Sequence, residues 1–317
     1  MKIRMIVSIV LLFALLMSCG NDEQAQAPAA AAPAETEAAV AEVSITDLVT
    51  DYFAGIPDNG NYIISETAFI DAVREGQDMT IIDIRRAEDY ANGHIAGAVN
   101  LPWGSEALVS ELPNIPQEGN VYLHCYSGQT AGQAIALMHL AGVPVKSVRY
   151  GYNFGISKVE GFEEFVTTEA ATLPALGNEI PENVMTAYAD FYAGLAEAAG
   201  TPFASNIVSE ENARAIWEAG DEDVQFVSIR QAADYAENHI EGAVNIPWGP
   251  DLPEMFMSMP MDKKLIVYCY SGQTAGQTVG ALRALGFDAV SLRGGMGTPL
   301  NAPMGWMNQG YPVVSAN

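Results

Sequence analysis

The sequence predicts an α/β fold built twice in tandem, and three observations carry that expectation. Nine residues, Cys125-Tyr126-Ser127-Gly128-Gln129-Thr130-Ala131-Gly132-Gln133, recur unchanged as Cys269-Tyr270-Ser271-Gly272-Gln273-Thr274-Ala275-Gly276-Gln277, 144 positions later. The duplication reaches far beyond them. His94–Gly104 matches His239–Gly249, Ile81–Arg85 answers to Phe226–Arg230, and Asp51–Gly55 resembles Asp190–Gly194. Within each copy, short apolar runs alternate with amphipathic segments, the pattern of a parallel sheet covered by helices on both faces. A period this long means two whole domains rather than a solenoid of short units.

The chain opens with Lys2 and Arg4, an apolar run from Met5 to Met17, and then Ser18-Cys19. A basic start, a short apolar core and a small residue before the cut describe an export signal over residues 1–19. The run falls short of the ~20 apolar residues of a transmembrane helix. Leu16-Met17-Ser18-Cys19 resembles the bacterial lipobox, whose cysteine becomes the lipid-bearing first residue, although Met17 is larger than is usual there. An ordinary signal peptide with a chance cysteine is the other reading. Residues 20–43, rich in Ala, Pro, Glu and Gln, cannot bury enough apolar surface to order themselves and read as a flexible tether. The first domain is expected over 44–176, a linker over 177–182 and the second domain over 183–317. The expected location is the cell envelope, on the periplasmic or extracellular face of a bacterial membrane, held there by lipid on Cys19.

Acidic residues number 39 against 14 basic ones, and losing Lys2 and Arg4 with the signal leaves a net charge of −27. So negative a surface repels phosphate backbones and anionic headgroups, which excludes nucleic acid as an expected partner. If Cys19 carries lipid, two of the three cysteines remain, each in an identical loop. A disulfide between them is disfavoured, because equivalent positions in two domains normally lie far apart. Two free thiols in an exported protein point to chemistry.

In the first copy the expected strands are Tyr62–Ser65, Thr80–Ile84, Ala98–Leu101, Val121–His124 and Val145–Arg149. The expected helices are Glu66–Glu75, Arg86–Gly93 and Gln129–Ala141. Helices Ile45–Gly55 and Val184–Ala199 open the two copies, with apolar residues spaced for packing against the neighbouring domain. Functional loops of such sheets lie beyond the carboxyl ends of the strands. Cys125 follows Val121–His124, and Cys269 follows Leu265–Tyr268, so both occupy that edge. Asp83 and Arg85 close another strand there, either as site residues or as a salt bridge pinning the strand end. His94 and His239 precede strands, where a histidine bonded to backbone is the first reading. No His, Cys and carboxylate set has metal-ligand spacing, so neither a metal nor another cofactor is expected.

A thiol followed by small and polar residues and a helix start has its sulfur among backbone N–H groups, which stabilise negative charge on it. Gly128 and Gly272 permit the positive φ that curls such a loop around a central atom. Backbone donors from Tyr126, Ser127, Gly128, Gln129 and Thr130, and from Tyr270, Ser271, Gly272, Gln273 and Thr274, are expected around Cys125 and Cys269, with the hydroxyls as added donors. The result is a nucleophile in an anion-stabilising cradle.

On these residues the chain resembles the rhodanese family of sulfurtransferases. The carriers are Asp83-Ile84-Arg85, the segment Glu88–Ala98, the cysteine loops, and in the second copy Leu292–Gly295, Trp306 and Gly310–Val313. The resemblance implies a parallel five-stranded sheet flanked by helices in each domain. It also implies ping-pong transfer of a sulfane sulfur through a cysteine persulfide, from a donor such as thiosulfate to cyanide or a thiol. Both loops lack the basic residues that help such loops bind thiosulfate, leaving Arg85 and Arg230, with Arg149 and Arg293 as helpers, to supply a cation. A persulfide or polysulfide is therefore a reasonable donor. The copies differ as well: Ser228, Ala233 and Asn238 stand where the first has Asp83, Glu88 and Gly93. Two competent sites with unequal rates are expected. The related fold of dual-specificity cell-cycle phosphatases needs a loop one residue longer, ended by an arginine, which neither loop has. A non-turnover sulfur-binding or redox-sensing module is the standing alternative.

Overall fold

Serine caps and apolar strands organise each half of the chain. The computed structural model describes residues 42–316; the expected signal segment, Cys19 and the expected tether up to residue 41 lie outside the described residues. Ser44 accepts from the Asp47 N–H to start α1 (Ile45–Ala54), and Ser65 accepts from the Ala68 N–H to start α2 (Glu66–Arg74), which follows β1 (Ile63–Ile64). Then come β2 (Thr80–Asp83), α3 (Ala87–Ala91), β3 (His94–Ile95), β4 (Ala98–Asn100) and α4 (Ala107–Ser110). The first half continues with β5 (Val121–His124), α5 (Gln129–Leu140), β6 (Val145–Val148) and β7 (Val166–Thr167).

The second half repeats the plan as α6 (Glu182–Glu197), β8 (Ile207–Val208), α7 (Glu210–Ala219), β9 (Val224–Ser228) and α8 (Ala232–Glu237). It ends with β10 (Val244–Asn245), α9 (Leu252–Phe256), β11 (Lys264–Tyr268), α10 (Gln273–Ala284) and β12 (Ala289–Leu292). Each half forms a five-stranded sheet with every pairing parallel, ordered β1-β6-β5-β2-β4 in the first and β8-β12-β11-β9-β10 in the second. The tandem α/β architecture read from the sequence is the one observed. Element ends move by a residue or two, as fraying ends do. The short helices α4 and α9 and the antiparallel pair β3–β7 leave no mark in the sequence pattern, being too short to show a period.

The cysteine strands are central in both sheets and deeply buried: all four residues of β5 are buried, as are the last four of β11. The helices that follow them, α5 and α10, are buried on nearly every face because each lies between its own sheet and the other helix. Their contact is reciprocal. A methyl group on Gly132 would overlap the Gln273 carbonyl oxygen, and one on Gly276 would overlap the Gln129 carbonyl oxygen. Around this crossing the opening helices exchange partners. Phe53 of α1 meets Trp248 of the second half edge-on at 5.3 Å, and Tyr192 of α6 meets Trp103 of the first half at 5.4 Å. One continuous apolar cluster therefore runs from Val49 through both halves to Ala289.

Candidate active site

Strand order decides what surrounds each cysteine. In the first half β2 and β5 are neighbours with Asp83 opposite His124, so the residues just beyond them, Arg85 and Cys125, leave the same edge of the sheet. Cys125 is 2% exposed and unpaired, as is Cys269. The chain turns sharply at Gly128, whose φ of 93° suits glycine, and its N–H donates to Cys125 Sγ at 3.1 Å. Gly272, at φ 96°, does the same to Cys269 Sγ at 3.1 Å. Each sulfur thus sits on the last amide before a twelve-residue helix, at its positive end.

A second turn lies under each loop and holds it. The Tyr152 N–H donates to the Cys125 carbonyl at 2.8 Å and the Asn153 N–H to the Tyr126 carbonyl at 2.9 Å. In the second half, Met296 and Gly297 make the matching bonds to Cys269 and Tyr270, both at 2.9 Å. Gly151 and Gly295 pack so closely beneath that a methyl group on either would strike the loop backbone. The Gly294-Gly295 ending of the second copy is therefore reproduced in the first by Tyr150-Gly151, with Tyr150 held at φ 59° where the second copy has glycine.

The tyrosine and glutamine side chains of the loops find their partners away from the sulfur. The Tyr126 hydroxyl bonds to the Asp89 carboxylate and accepts from the Arg86 N–H at 3.0 Å. The Tyr270 hydroxyl bonds to Asp234 and accepts from the Gln231 N–H at 3.2 Å. Ser127, Thr130, Ser271 and Thr274 are half-buried. The side chains of Gln129 and Gln273 leave their own loops altogether and cross into the other half of the chain. The one sign of this in the sequence is that identity between the copies continues past the sulfur cradle to Gln133 and Gln277.

The arginines divide by copy. Arg85 is buried and grips Asp83, with Nη2 at 2.7 Å and Nε at 3.0 Å from Oδ2; it also donates to the Gly93 carbonyl at 2.8 Å and lies 3.8 Å over the Tyr152 ring. Burial raises the Asp83 carboxyl, but the neighbouring His124 and the hydrogen-bonded Arg85 together outweigh burial and hold it below its ordinary range. His124 Nδ1 lies 3.7 Å from Asp83, and burial keeps this imidazole below its usual range. The second half has no such pair among the described residues. Ser228 replaces Asp83, Tyr268 replaces His124, and Arg230 is bound by the Asn238 side chain at 3.1 Å and by the Asn238 carbonyl. Its Nε has no partner, and no carboxylate pairs with it among the described residues. Arg149 is paired with Glu66 at 2.8 Å and Arg293 with Glu210 at 2.5 Å.

The two histidines that precede strands are bonded to backbone. His94 is buried and stacked on Tyr90, with its ring nitrogens 2.8 Å from the Tyr90 carbonyl and 3.0 Å from the Glu169 carbonyl. His239 stacks on Tyr235 and faces its carbonyl at 2.9 Å.

Both copies are similar to a known domain family. The rhodanese-like domain model matches residues 67–156 and 212–297, together more than half of the chain. A sulfurtransferase of Allochromatium vinosum is 32% identical over 98 residues, covering 31% of this chain and 84% of that protein. The thiosulfate sulfurtransferase PspE of Escherichia coli is 30% identical over 73 residues, covering 22% of this chain and 69% of that protein. A crystal structure of a thiosulfate sulfurtransferase from Pseudomonas aeruginosa aligns with 79% of this chain and 46% of its own, at 16% identity and a TM-score of 0.33. The chain belongs to the rhodanese-like domain family and carries two copies of that domain.

Proposed function

We propose that the protein is a sulfurtransferase in which Cys125 and Cys269 each carry sulfane sulfur as a persulfide. In the first step the cysteine thiolate attacks the outer sulfur of the donor. The donor S–S bond breaks, its electron pair leaves with a thiolate, or with sulfite when thiosulfate is the donor, and a cysteine persulfide anion remains. In the second step an acceptor thiolate or cyanide attacks the outer persulfide sulfur and regenerates the cysteine thiolate. The single observation that carries this reading is the pair of matched amide bonds, Gly128 to Cys125 Sγ and Gly272 to Cys269 Sγ, each at a helix N-terminus.

The arginines support unequal sites. The cation of Arg85 is neutralised by Asp83, which favours a donor less charged than thiosulfate, such as a persulfide, at Cys125. The carboxylate-free Arg230 favours an anion such as thiosulfate at Cys269. The proposal includes export and a lipid anchor at Cys19, supported by the basic start, the apolar run and Leu16-Met17-Ser18-Cys19.

Mass spectrometry after incubation with thiosulfate, and separately with a polysulfide, tests the reading. A one-sulfur gain is expected on both cysteines from polysulfide, with thiosulfate loading Cys269 faster than Cys125. Loss of all labelling in either Cys125→Ser or Cys269→Ser alone would refute two independent sites.

A further inference from the structure

Gln129 opens α5, just beyond its own cysteine loop, yet its carboxamide belongs to the second half of the chain. Nε2 donates to Ser291 Oγ at 2.7 Å and to the Leu292 carbonyl at 2.9 Å, and Oε1 accepts from the Gly294 N–H at 3.2 Å. Those three residues lead directly into the turn that holds the Cys269 loop through Met296 and Gly297. The same carboxamide fills the space beside Gly272, where a methyl group would lie 2.8 Å from Oε1. Gly272 is the residue whose N–H bonds Cys269 Sγ.

The opposite contact is built from the equivalent residues. Gln273 Nε2 donates to Ser147 Oγ at 2.8 Å and to the Val148 carbonyl at 3.3 Å, and its Oε1 accepts from the Tyr150 N–H at 3.2 Å. A methyl group on Gly128 would lie 2.8 Å from Gln273 Oε1, and Gly128 is the donor to Cys125 Sγ. Both glutamines are 3% exposed, so neither has water as an alternative partner. Gly128 and Gly272 are thus glycine for two reasons: a positive φ, and room for an amide delivered from the other copy.

We propose that each glutamine is a positioning residue for the cysteine of the opposite copy: Gln129 sets the Cys269 cradle and Gln273 sets the Cys125 cradle. The proposal rests on the sulfur-transfer reading for its meaning, but not for its test. Neither glutamine touches the reacting sulfur; each acts through the glycine amide and the underlying turn. Loosening the brace withdraws the amide from the opposite sulfur and leaves its own loop, held by its own turn, in place.

The test is the alkylation rate of each cysteine with iodoacetamide, followed by peptide mass spectrometry on the full chain without any sulfur donor. Losing one buried hydrogen-bonded anchor, Gln129→Met is expected to slow Cys269 by about two- to tenfold and to leave Cys125 within about twofold. Gln273→Met should give the same result with the cysteines exchanged. If Gln129→Met does not fold, Ser291→Ala removes one anchor of the same amide and must slow Cys269 alone. Equal slowing of both cysteines, or slowing of the cysteine in the same loop, overturns the crossed brace. A normal crossed pattern in a protein that takes up no sulfur from any donor would instead sink the sulfur-transfer reading and leave the brace standing.

Discussion

His139 shows how one side chain ties stability to pH. It sits in the last turn of α5 with Nε2 2.8 Å from the Val145 carbonyl and its ring 4.2 Å from that of Tyr62. Burial pushes its imidazole down to about 4. The unfolded chain binds a proton near pH 6.5 that the folded chain refuses, so this residue's contribution is complete above that pH and is lost as pH falls toward 4. The shift corresponds to about 3 kcal/mol. The urea midpoint of the native protein should fall between roughly pH 6.5 and 5, and His139→Gln should flatten that slope. At this scale the sequence is only half legible. It marks Asp83 and Arg85 in the first copy, and Arg230 in the second, as lying at the carboxyl edge of their own sheets, because strand ends are read from apolar runs. It cannot show that Arg85 is neutralised while Arg230 is not, because the identity of a buried ion's partner depends on packing between strands. Nor can it show that Gln129 and Gln273 serve the opposite loops, since a hydrogen bond across 162 positions, such as Gln129 to Ser291, has no local signature.

Between elements, the crossing of α5 and α10 depends on the absence of side chains. Gly132→Ala places a methyl group into the Gln273 carbonyl and should cost about 1–3 kcal/mol of unfolding free energy. Gly194, inside α6, has open space where a methyl group would stand, with nothing within 4 Å, and Gly194→Ala should stabilise by about 0.5–1 kcal/mol. Urea titration of the two variants separates a glycine kept for close approach from one that merely loosens a helix. Most of the main elements are legible, because strands such as Val121–His124 and helices such as Gln129–Leu140 combine a clear apolar pattern with glycine or serine punctuation. The short pair β3–β7 is not, since two-residue strands owe their pairing to where the chain returns rather than to their composition.

For the molecule as a whole, the shared apolar cluster outweighs the duplication. Residues of both halves, from Val49 to Ala289, bury one another, so neither half can open without exposing the other. Thermal unfolding should therefore be a single transition with calorimetric and van't Hoff enthalpies in agreement; two resolved transitions in a scanning calorimeter would contradict a common core. The reciprocal braces also bear on heredity. Where Gln129 rests against Gly272 and Gln273 against Gly128, each copy of the nonapeptide is part of the other's surroundings. A substitution at Gln129 or Gln273 is therefore expected to disturb the opposite nonapeptide before its own.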